Sequence, residues 1–178
     1  VVVVQVRKKH RFHPAAIAGG LEEVLESASV GTIYVPAGWE AYDVEEDSAS
    51  ALVAAREAGI PVVALSAGDE VRLSEGVTAA VLAPDLAAEE SGEDANAISM
   101  VLEVRYGAAA ALFTGDLPAD CEPDSLPDID LLKVAHHGSA GSTSSVFLAQ
   151  TAPSVAVISV GEGNPYGHPA EETLERLE

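Results

Sequence analysis

Two short polar segments each follow an apolar run, and this pairing limits the folds open to the chain. Thr114-Gly115-Asp116 follows the run from Ala108 to Phe113, and Ala135-His136-His137-Gly138-Ser139 follows the run from Ile129 to Val134. Apolar runs of this length, closed by Gly, Pro or Ser, predict buried strands. A carboxylate and a pair of imidazoles are therefore expected just beyond two strand ends, where α/β sheets leave a crevice for ligands.

The residue types in these segments indicate a kind of chemistry. Asp and His side chains are the ligands that hold zinc or manganese in many proteins. Because side chains alternate along a strand, adjacent histidines after a strand end are expected to point in different directions. His136 or His137 would then face a metal while the other packs or contacts a substrate. A metal-dependent hydrolase is the resulting hypothesis.

Strands and helices alternate along the rest of the chain, with one hairpin at Tyr106-Gly107. This order predicts an α/β domain with mixed sheets, spanning 1–178 as a single unit. The acidic stretch 84–94 is expected to be an exposed loop. The patterns predict strands at 1–6, 32–35, 61–65, 71–73, 77–82, 98–105, 108–113, 131–134 and 155–160, and helices at 21–26, 47–58, 145–150 and 171–178.

Composition supports a folded domain of ordinary size. The chain has 178 residues, of which 48% are hydrophobic and 4% aromatic, so its core is built from aliphatic side chains. No apolar run approaches the ~18 residues of a membrane span. Cys121 is the single cysteine, which excludes an internal disulfide. Because the chain opens on a strand without Met, we interpret it as a fragment of a longer protein.

The charge is strongly acidic but unevenly distributed. The formal net charge of −20 opposes non-specific binding to a polyanion. Arg7, Lys8, Lys9 and Arg11 are four of the nine basic residues, and no acidic residue precedes Glu22. This basic run is either a solvated strand end or a local patch that contacts phosphate.

Two further segments contain residues that suit a site. The loop from Gly161 to His168 contains Tyr166 and His168, which can supply hydrogen-bond donors to a phosphate or leaving group. Its Gly and Pro content fits a simple turn equally well. Asn96 and Ser99 begin the strand predicted from Ile98, and we interpret them as a strand cap.

Several of these segments resemble one protein family. They include Leu131 to Ser139 (Leu-Leu-Lys-Val-Ala-His-His-Gly-Ser), Val157 to Gly161, and Asn164 to Pro169 (Asn-Pro-Tyr-Gly-His-Pro). Leu112 to Asp116, Asn96-x-x-Ser99 and Ala58 to Val62 match as well. Together they resemble the C-terminal β-lactamase-like domain of ComEC, the family of bacterial DNA-internalisation competence proteins, from about Gly19 to the end.

The resemblance implies a metallo-β-lactamase-like αββα sandwich with mixed sheets and two metal ions, zinc or manganese, at the sheet edges. It implies that Asp116 bridges the metals, that His136 or His137 ligates one, and that these three residues carry the catalysis. Ser139, Tyr166 and His168 are then candidates for substrate binding. The implied substrate is DNA, one strand of which is degraded during uptake. The implied partner is the membrane-channel portion of the same longer bacterial protein, to which a soluble domain of this kind is attached; no small-molecule cofactor is implied.

The chain departs from the family pattern at its start. The family's first metal motif, His-x-His-x-Asp-His before Gly-Gly, aligns with a stretch in which Arg11 replaces the first His and His13 keeps the second. Ala15 and Ala16 stand where the Asp and the last His are expected. The family's Gly-Gln-Gly-Asp segment has no counterpart here, so the fold is expected to lack its leading strands.

Two functions remain open from the sequence. His13, Asp116 and one of His136 or His137 can hold a single metal ion with an open position, which suits a metal-dependent phosphodiesterase or nuclease. Alternatively, the domain has lost the metal and binds DNA phosphates, or acts as a scaffold for the transporter. Arg11 is unfavourable beside a cation but suits a phosphate, and the residues that would join it are Lys8, Lys9, His136 and His168. A hydrolase of small esters or lactones would share the same fold.

Overall fold

A computed structural model of the chain describes residues 3–6, 24–25, 27–41, 46–85 and 94–178. Its architecture is α/β, with two sheets and helices against them, as the sequence predicts. The first sheet has three strands in the order β1 (Val3–Val6), β2 (Val30–Pro36) and β3 (Val62–Leu65). Strand β1 runs antiparallel to β2, and β2 runs parallel to β3, so this sheet is mixed.

The second sheet has six strands whose spatial order follows the chain. The first four are antiparallel neighbours, whereas the last three run parallel to one another. The carboxyl ends of these three parallel strands therefore lie side by side at one edge. The six strands are β4 (Glu70–Ser74), β5 (Val77–Ala83), β6 (Val101–Tyr106), β7 (Ala109–Phe113), β8 (Leu131–Lys133) and β9 (Val155–Val157).

The helices whose bounds lie within the described ranges are α1 (Glu46–Glu57), α2 (Ser145–Thr151) and α3 (Glu171–Leu177). Helix α1 ends near Gly59, whose φ of 75° suits a residue without a Cβ. Helix α2 begins after Ser144, whose Oγ accepts a hydrogen bond from the Phe147 amide at 3.1 Å. Val24 and Leu25, in the helix predicted over 21–26, are helical.

The core clusters define the order of the layers. Ile33 and Val35 of β2 pack with Ala51, Leu52 and Ala55 of α1 on the outer face of the first sheet.

The opposite faces of the two sheets meet each other. Leu65 of β3 packs with Val71, Val81 and Leu102 of the second sheet and with Met100, which precedes β6. Tyr34 lies against this cluster. The alternation of side chains along each strand therefore sends neighbouring residues into different clusters.

The outer face of the second sheet forms the third cluster. Leu112 of β7 and Leu132 of β8 are fully buried there and pack with Phe147 of α2. Leu177 of α3 lies against the same cluster. The layers thus run helix, sheet, sheet, helices.

Two predicted strands differ from their expected bounds by three residues at one end. Residues Ala95–Ile98 form a 3-10 turn, and β6 begins only at Val101. The cause is the Asp94 carboxylate, which accepts a hydrogen bond from the Asn96 amide and caps the turn. The interpretation of Asn96 and Ser99 as a strand cap is therefore wrong.

Strand β9 ends at Val157 rather than Val160. The Ser159 carbonyl, which would otherwise continue the ladder, lies 2.6 Å from Nδ1 of His137. The His137 side chain thus bonds the carbonyl that a neighbouring strand would otherwise bond.

Leu132→Ala tests the burial that holds β8 in place. We expect a loss of about 2–5 kcal/mol in the free energy of unfolding, because the truncated side chain leaves a cavity among fully buried neighbours. Chemical denaturation measures it. Val146→Ala is the matched control, since Val146 is 67% exposed, and should change the stability by about 0.5 kcal/mol or less. Equal losses in the two variants would contradict the core assignment.

Candidate active site at the parallel strand ends

The segments singled out from the sequence meet beyond the carboxyl ends of β7, β8 and β9. Phe113 pairs with Lys133, and Lys133 pairs with Val157, so the three strands end in register. The Thr114 hydroxyl donates to the Lys133 carbonyl at 2.6 Å, and the His136 amide donates to the Gly115 carbonyl at 3.1 Å. The two polar segments are therefore joined through the backbone.

Asp116 lies at the centre of this crevice. Its side chain is only 18% exposed. Its backbone amide donates to Oγ of the buried Ser99 at 3.1 Å. One carboxylate oxygen, Oδ1, is buried and has no hydrogen-bond partner among the described residues. Burying a carboxylate oxygen without a hydrogen-bond donor costs free energy, and a bound cation would offset that cost.

Lys133 is a site residue that the sequence analysis did not single out. Its Nζ donates to the Gly115 carbonyl at 2.9 Å and lies 3.7 Å from Oδ1 of Asp116. Burial lowers the pKa of this ammonium, while the neighbouring carboxylate acts in the opposite direction. The available signal was a lysine inside an otherwise apolar strand, which is rarely buried without a partner.

His137 is the histidine that faces Asp116. Its Nε2 lies 3.7 Å from Oδ2 of Asp116, and its Nδ1 lies 2.6 Å from the Ser159 carbonyl. A carbonyl oxygen only accepts hydrogen bonds, so Nδ1 must carry the proton. In the neutral ring, Nε2 then presents a lone pair toward the carboxylate, which is the arrangement by which proteins prepare an imidazole for a metal ion.

The two histidines diverge for a reason other than strand alternation. His136 and His137 both have positive φ, 47° and 54°, and Gly138 follows with 84°. The expectation that a strand-like alternation separates their side chains is therefore wrong, because the backbone turns in the left-handed region. Non-glycine residues pay roughly 1–2 kcal/mol each for this conformation. Such strain persists where surrounding contacts enforce it, often at functional sites.

The contacts that enforce the turn come from the segment that follows it. The Thr143 hydroxyl accepts from the Ala135 amide at 3.1 Å, and the Ser142 hydroxyl donates to the Ala135 carbonyl at 3.2 Å. From α3, the Arg176 guanidinium donates to the carbonyls of Ala140, Ser142 and Thr143 at 3.1–3.2 Å.

Ser139 also makes contacts that hold the turn at His136, His137 and Gly138. Its carbonyl accepts from the hydroxyls of Ser142 and Thr173, at 3.1 and 2.9 Å. Its Oγ accepts weakly from the Gly141 amide at 3.4 Å. The described contacts of Ser139 are thus structural, and a role in substrate binding stays a prediction.

His136 joins the loop that follows β9. Its ring contacts that of His168 edge-on, with centroids 5.7 Å apart, and His168 in turn lies 5.9 Å from the ring of Tyr166. Nδ1 of His168 is buried and has no hydrogen-bond partner among the described residues. The residues predicted from the three loops thus converge in two groups, Asp116 with His137 and His136 with His168 and Tyr166.

The described residues supply two ligands for a cation. No group of three or more His, Cys, Asp or Glu side chains suited to a metal occurs within the described ranges. Asp116 and His137 suit one ion, since a carboxylate oxygen and an Nε2 in a ring that carries its proton on Nδ1 are both suitable ligands. His13, the predicted third ligand, and Arg11, the predicted phosphate contact, lie outside the described residues, as do Lys8 and Lys9.

Gly138→Ala tests the left-handed turn. A Cβ at Gly138 would lie 2.7 Å from Cβ of Pro169, and its φ is unfavourable for alanine. We expect a loss of about 2–4 kcal/mol in the free energy of unfolding. Gly141→Ala is the control, because its φ is ordinary and its nearest contact is at 4.0 Å; a change of about 1 kcal/mol or less is expected there. Denaturant titrations compare the two, and a tolerated Gly138→Ala would mean that the turn is not constrained.

Comparison with known proteins places this site in a family context. No family model matches the chain. Three curated proteins are similar to it. ComE operon protein 3 of Bacillus subtilis is 33% identical over 165 residues, which cover 90% of this chain and 20% of that protein. Recombination protein 2 of Haemophilus influenzae is 44% identical over 85 residues, covering 46% and 11%. Competence protein ComA of Neisseria gonorrhoeae is 39% identical over 95 residues, covering 50% and 14%.

The matched region is thus a fifth or less of each relative's length. The match to the Bacillus subtilis protein covers most of this chain. The chain is therefore homologous to part of the ComEC-type competence proteins.

Proposed function

We propose that this chain is a metal-dependent phosphodiesterase domain that acts on DNA during uptake by a ComEC-type protein. The observation that carries the proposal is the position of His137, whose Nε2 lies 3.7 Å from Oδ2 of Asp116 while its Nδ1 lies 2.6 Å from the Ser159 carbonyl. The relation to competence proteins supports DNA as the substrate class.

We further propose that the fold is a metallo-β-lactamase-like sandwich. The layer order supports this, since α1 covers one sheet, α2 and α3 cover the other, and the sheets face each other across the Leu65 cluster. The site lies at the strand ends of such a sandwich, where loops from several strands converge.

In this proposal Asp116 and His137 hold one zinc or manganese ion, and His13 is the predicted third ligand. When bound, such a cation supplies Lewis acidity toward a phosphoryl oxygen and lowers the pKa of water at neutral pH. Ser99 holds the Asp116 backbone, and Lys133 holds the Gly115 carbonyl beneath the carboxylate. His136 and His168, whose rings meet edge-on, are proposed to contact phosphate oxygens and to transfer protons.

One observation favours a second function, metal-free binding of DNA phosphates. The Lys133 ammonium lies 3.7 Å from Oδ1 of Asp116 and already balances part of its charge. A cation bound at that oxygen would be repelled by the ammonium. With Ala15 and Ala16 in place of two expected ligands, the site then resembles an anion site assembled from Arg11, His136 and His168.

The setting of the domain follows from its relatives and is likewise a proposal. Among the residues that the structure describes, no helix has both the length and the apolar character needed to cross a membrane. The proposed partner is the membrane-channel portion of the same longer protein, which would deliver a single DNA strand to the site.

Metal content distinguishes the two functions. After incubation with Mn²⁺ or Zn²⁺ and desalting, elemental analysis of the wild-type chain should find about one equivalent, because three ligands suffice for one ion. Asp116→Ala and His137→Ala should lower this to background and abolish cleavage of a single-stranded oligonucleotide, whereas His136→Ala should retain the metal.

Asp120→Ala is the matched control, since Asp120 is an exposed aspartate outside the crevice. It should keep both metal and cleavage. Wild-type chain without metal, or an Asp116→Ala variant that binds as much metal as Asp120→Ala, would contradict the metal-dependent proposal.

The salt dependence of DNA binding tests the metal-free function. If phosphate contacts by Arg11 dominate, the affinity for a single strand in EDTA should fall steeply with salt. Arg11→Glu should then weaken binding and reduce the slope of log K against log salt by about one charge contact. Fluorescence anisotropy titrations at several salt concentrations measure this, and binding that is unchanged in Arg11→Glu would count against an anion site.

A further inference from the structure

Tyr166 is an exposed aromatic side chain in a chain that has few of them. Aromatic residues make up 4% of the sequence, and Tyr166 is 78% exposed. An isolated exposed aromatic needs no explanation. This one, however, lies on a loop that is held by hydrogen bonds and contacts a ring of the candidate active site.

Asn164 fixes the loop that presents Tyr166. Its Oδ1 accepts from the amides of Tyr166 and His168, both at 3.1 Å. Its Nδ2 donates to the carbonyls of Gly161 and His168, at 3.1 and 2.6 Å. One amide side chain therefore makes four hydrogen bonds within the loop, so little conformational entropy remains to be lost when a ligand binds to it.

The ring of Tyr166 continues a row of rings that begins in the crevice. It stacks on His168 with an interplanar angle of 22° and a centroid separation of 5.9 Å, and His168 meets His136 edge-on. Since Tyr166 is exposed on its outer side, its free face is open for a further flat group. Offset stacking of this kind is favourable at centroid separations of about 4.5–7 Å.

The described Lys and Arg side chains provide little electrostatic attraction for a polyanion near the crevice. Each of the five described cations already has a partner. Arg56 pairs with Glu40, Arg105 with Glu103 and Lys133 with Asp116, while Arg72 and Arg176 donate to backbone carbonyls. With a net charge of −20, binding of a nucleic acid here needs contacts that do not depend on phosphate charge.

We infer that Tyr166 is a stacking platform for one nucleobase of a single-stranded DNA, and that it positions the neighbouring phosphodiester beside Asp116 and His137. The nucleic-acid class of the ligand rests on the proposed function. A single strand is required because in a duplex both faces of each base are covered by its neighbours. Stacking on an aromatic ring is tolerant of sequence, as a domain that handles arbitrary DNA requires.

The test compares two oligodeoxynucleotides with the same number of phosphates, one with bases and one with abasic sites at its centre. The 178-residue chain is titrated with each in EDTA, which prevents cleavage, and Kd is read by fluorescence anisotropy. We expect the wild-type chain to prefer the base-containing strand by about 5- to 100-fold, the range of base–aromatic stacking. Tyr166→Ala should remove this preference, and Tyr166→Phe should keep it, because the ring and not the hydroxyl makes the contact.

Tyr106→Ala is the matched control. Tyr106 is 68% exposed but lies at the hairpin end of β6, opposite the strand ends that form the crevice. It should leave both affinities unchanged. A preference that survives Tyr166→Ala, or one lost equally in Tyr166→Phe, would overturn the stacking platform.

The same measurements separate this inference from the proposed function. If base dependence is lacking while metal binding and cleavage persist, the stacking platform fails and the phosphodiesterase stands. If the wild-type chain binds neither strand, the stacking platform fails, and metal content still reports on the cation site by itself.

Discussion

The candidate site depends on a left-handed backbone turn, a conformation that residues other than glycine rarely adopt. His136, His137 and Gly138 all have positive φ. His136 and His137 have a Cβ, so this conformation costs them free energy that it does not cost glycine. The compensation comes from Ser142 and Thr143, which satisfy both backbone groups of Ala135, and from the Arg176 guanidinium. The turn directs His137 toward Asp116 and His136 toward His168. A strand or a regular helix would not place the two side chains in this way.

The sequence predicted the sheets well because their signals are local. Apolar runs closed by glycine marked β7 and β8, and the loops that follow them do converge. What escaped prediction depended on tertiary contacts. The sequence predicts a strand cap at Ser99, because nothing local indicates that its hydroxyl accepts a hydrogen bond from the Asp116 amide. The pairing of Lys133 with Asp116 and the choice of His137 over His136 likewise follow from a turn whose geometry only the rest of the fold imposes. The αββα family assignment and the ligand His13 stay predictions.

The net charge of the chain constrains the proposed binding of DNA. A body with a net charge of −20 repels a polyanion over a distance set by the ionic strength. The described Lys and Arg side chains are paired with carboxylates and carbonyls. In the proposal, the charged contacts to phosphate therefore come from a bound cation or from the basic run at residues 7–11, beside the contacts proposed for His136 and His168. Both sources act at short range. A strand delivered by a channel would meet this requirement, whereas capture from dilute solution would be slow.

The contacts that Arg176 makes with an earlier part of the chain have a consequence for biogenesis. Its guanidinium reaches carbonyls that lie 33–36 residues earlier in the chain. During synthesis on the ribosome, the sheet edge with Asp116 emerges well before this clamp does. The double-histidine turn therefore reaches its final geometry only after α3 has left the exit tunnel. A nascent chain would therefore pass through a stage in which the sheet has folded and the Arg176 contacts of the site have not yet formed.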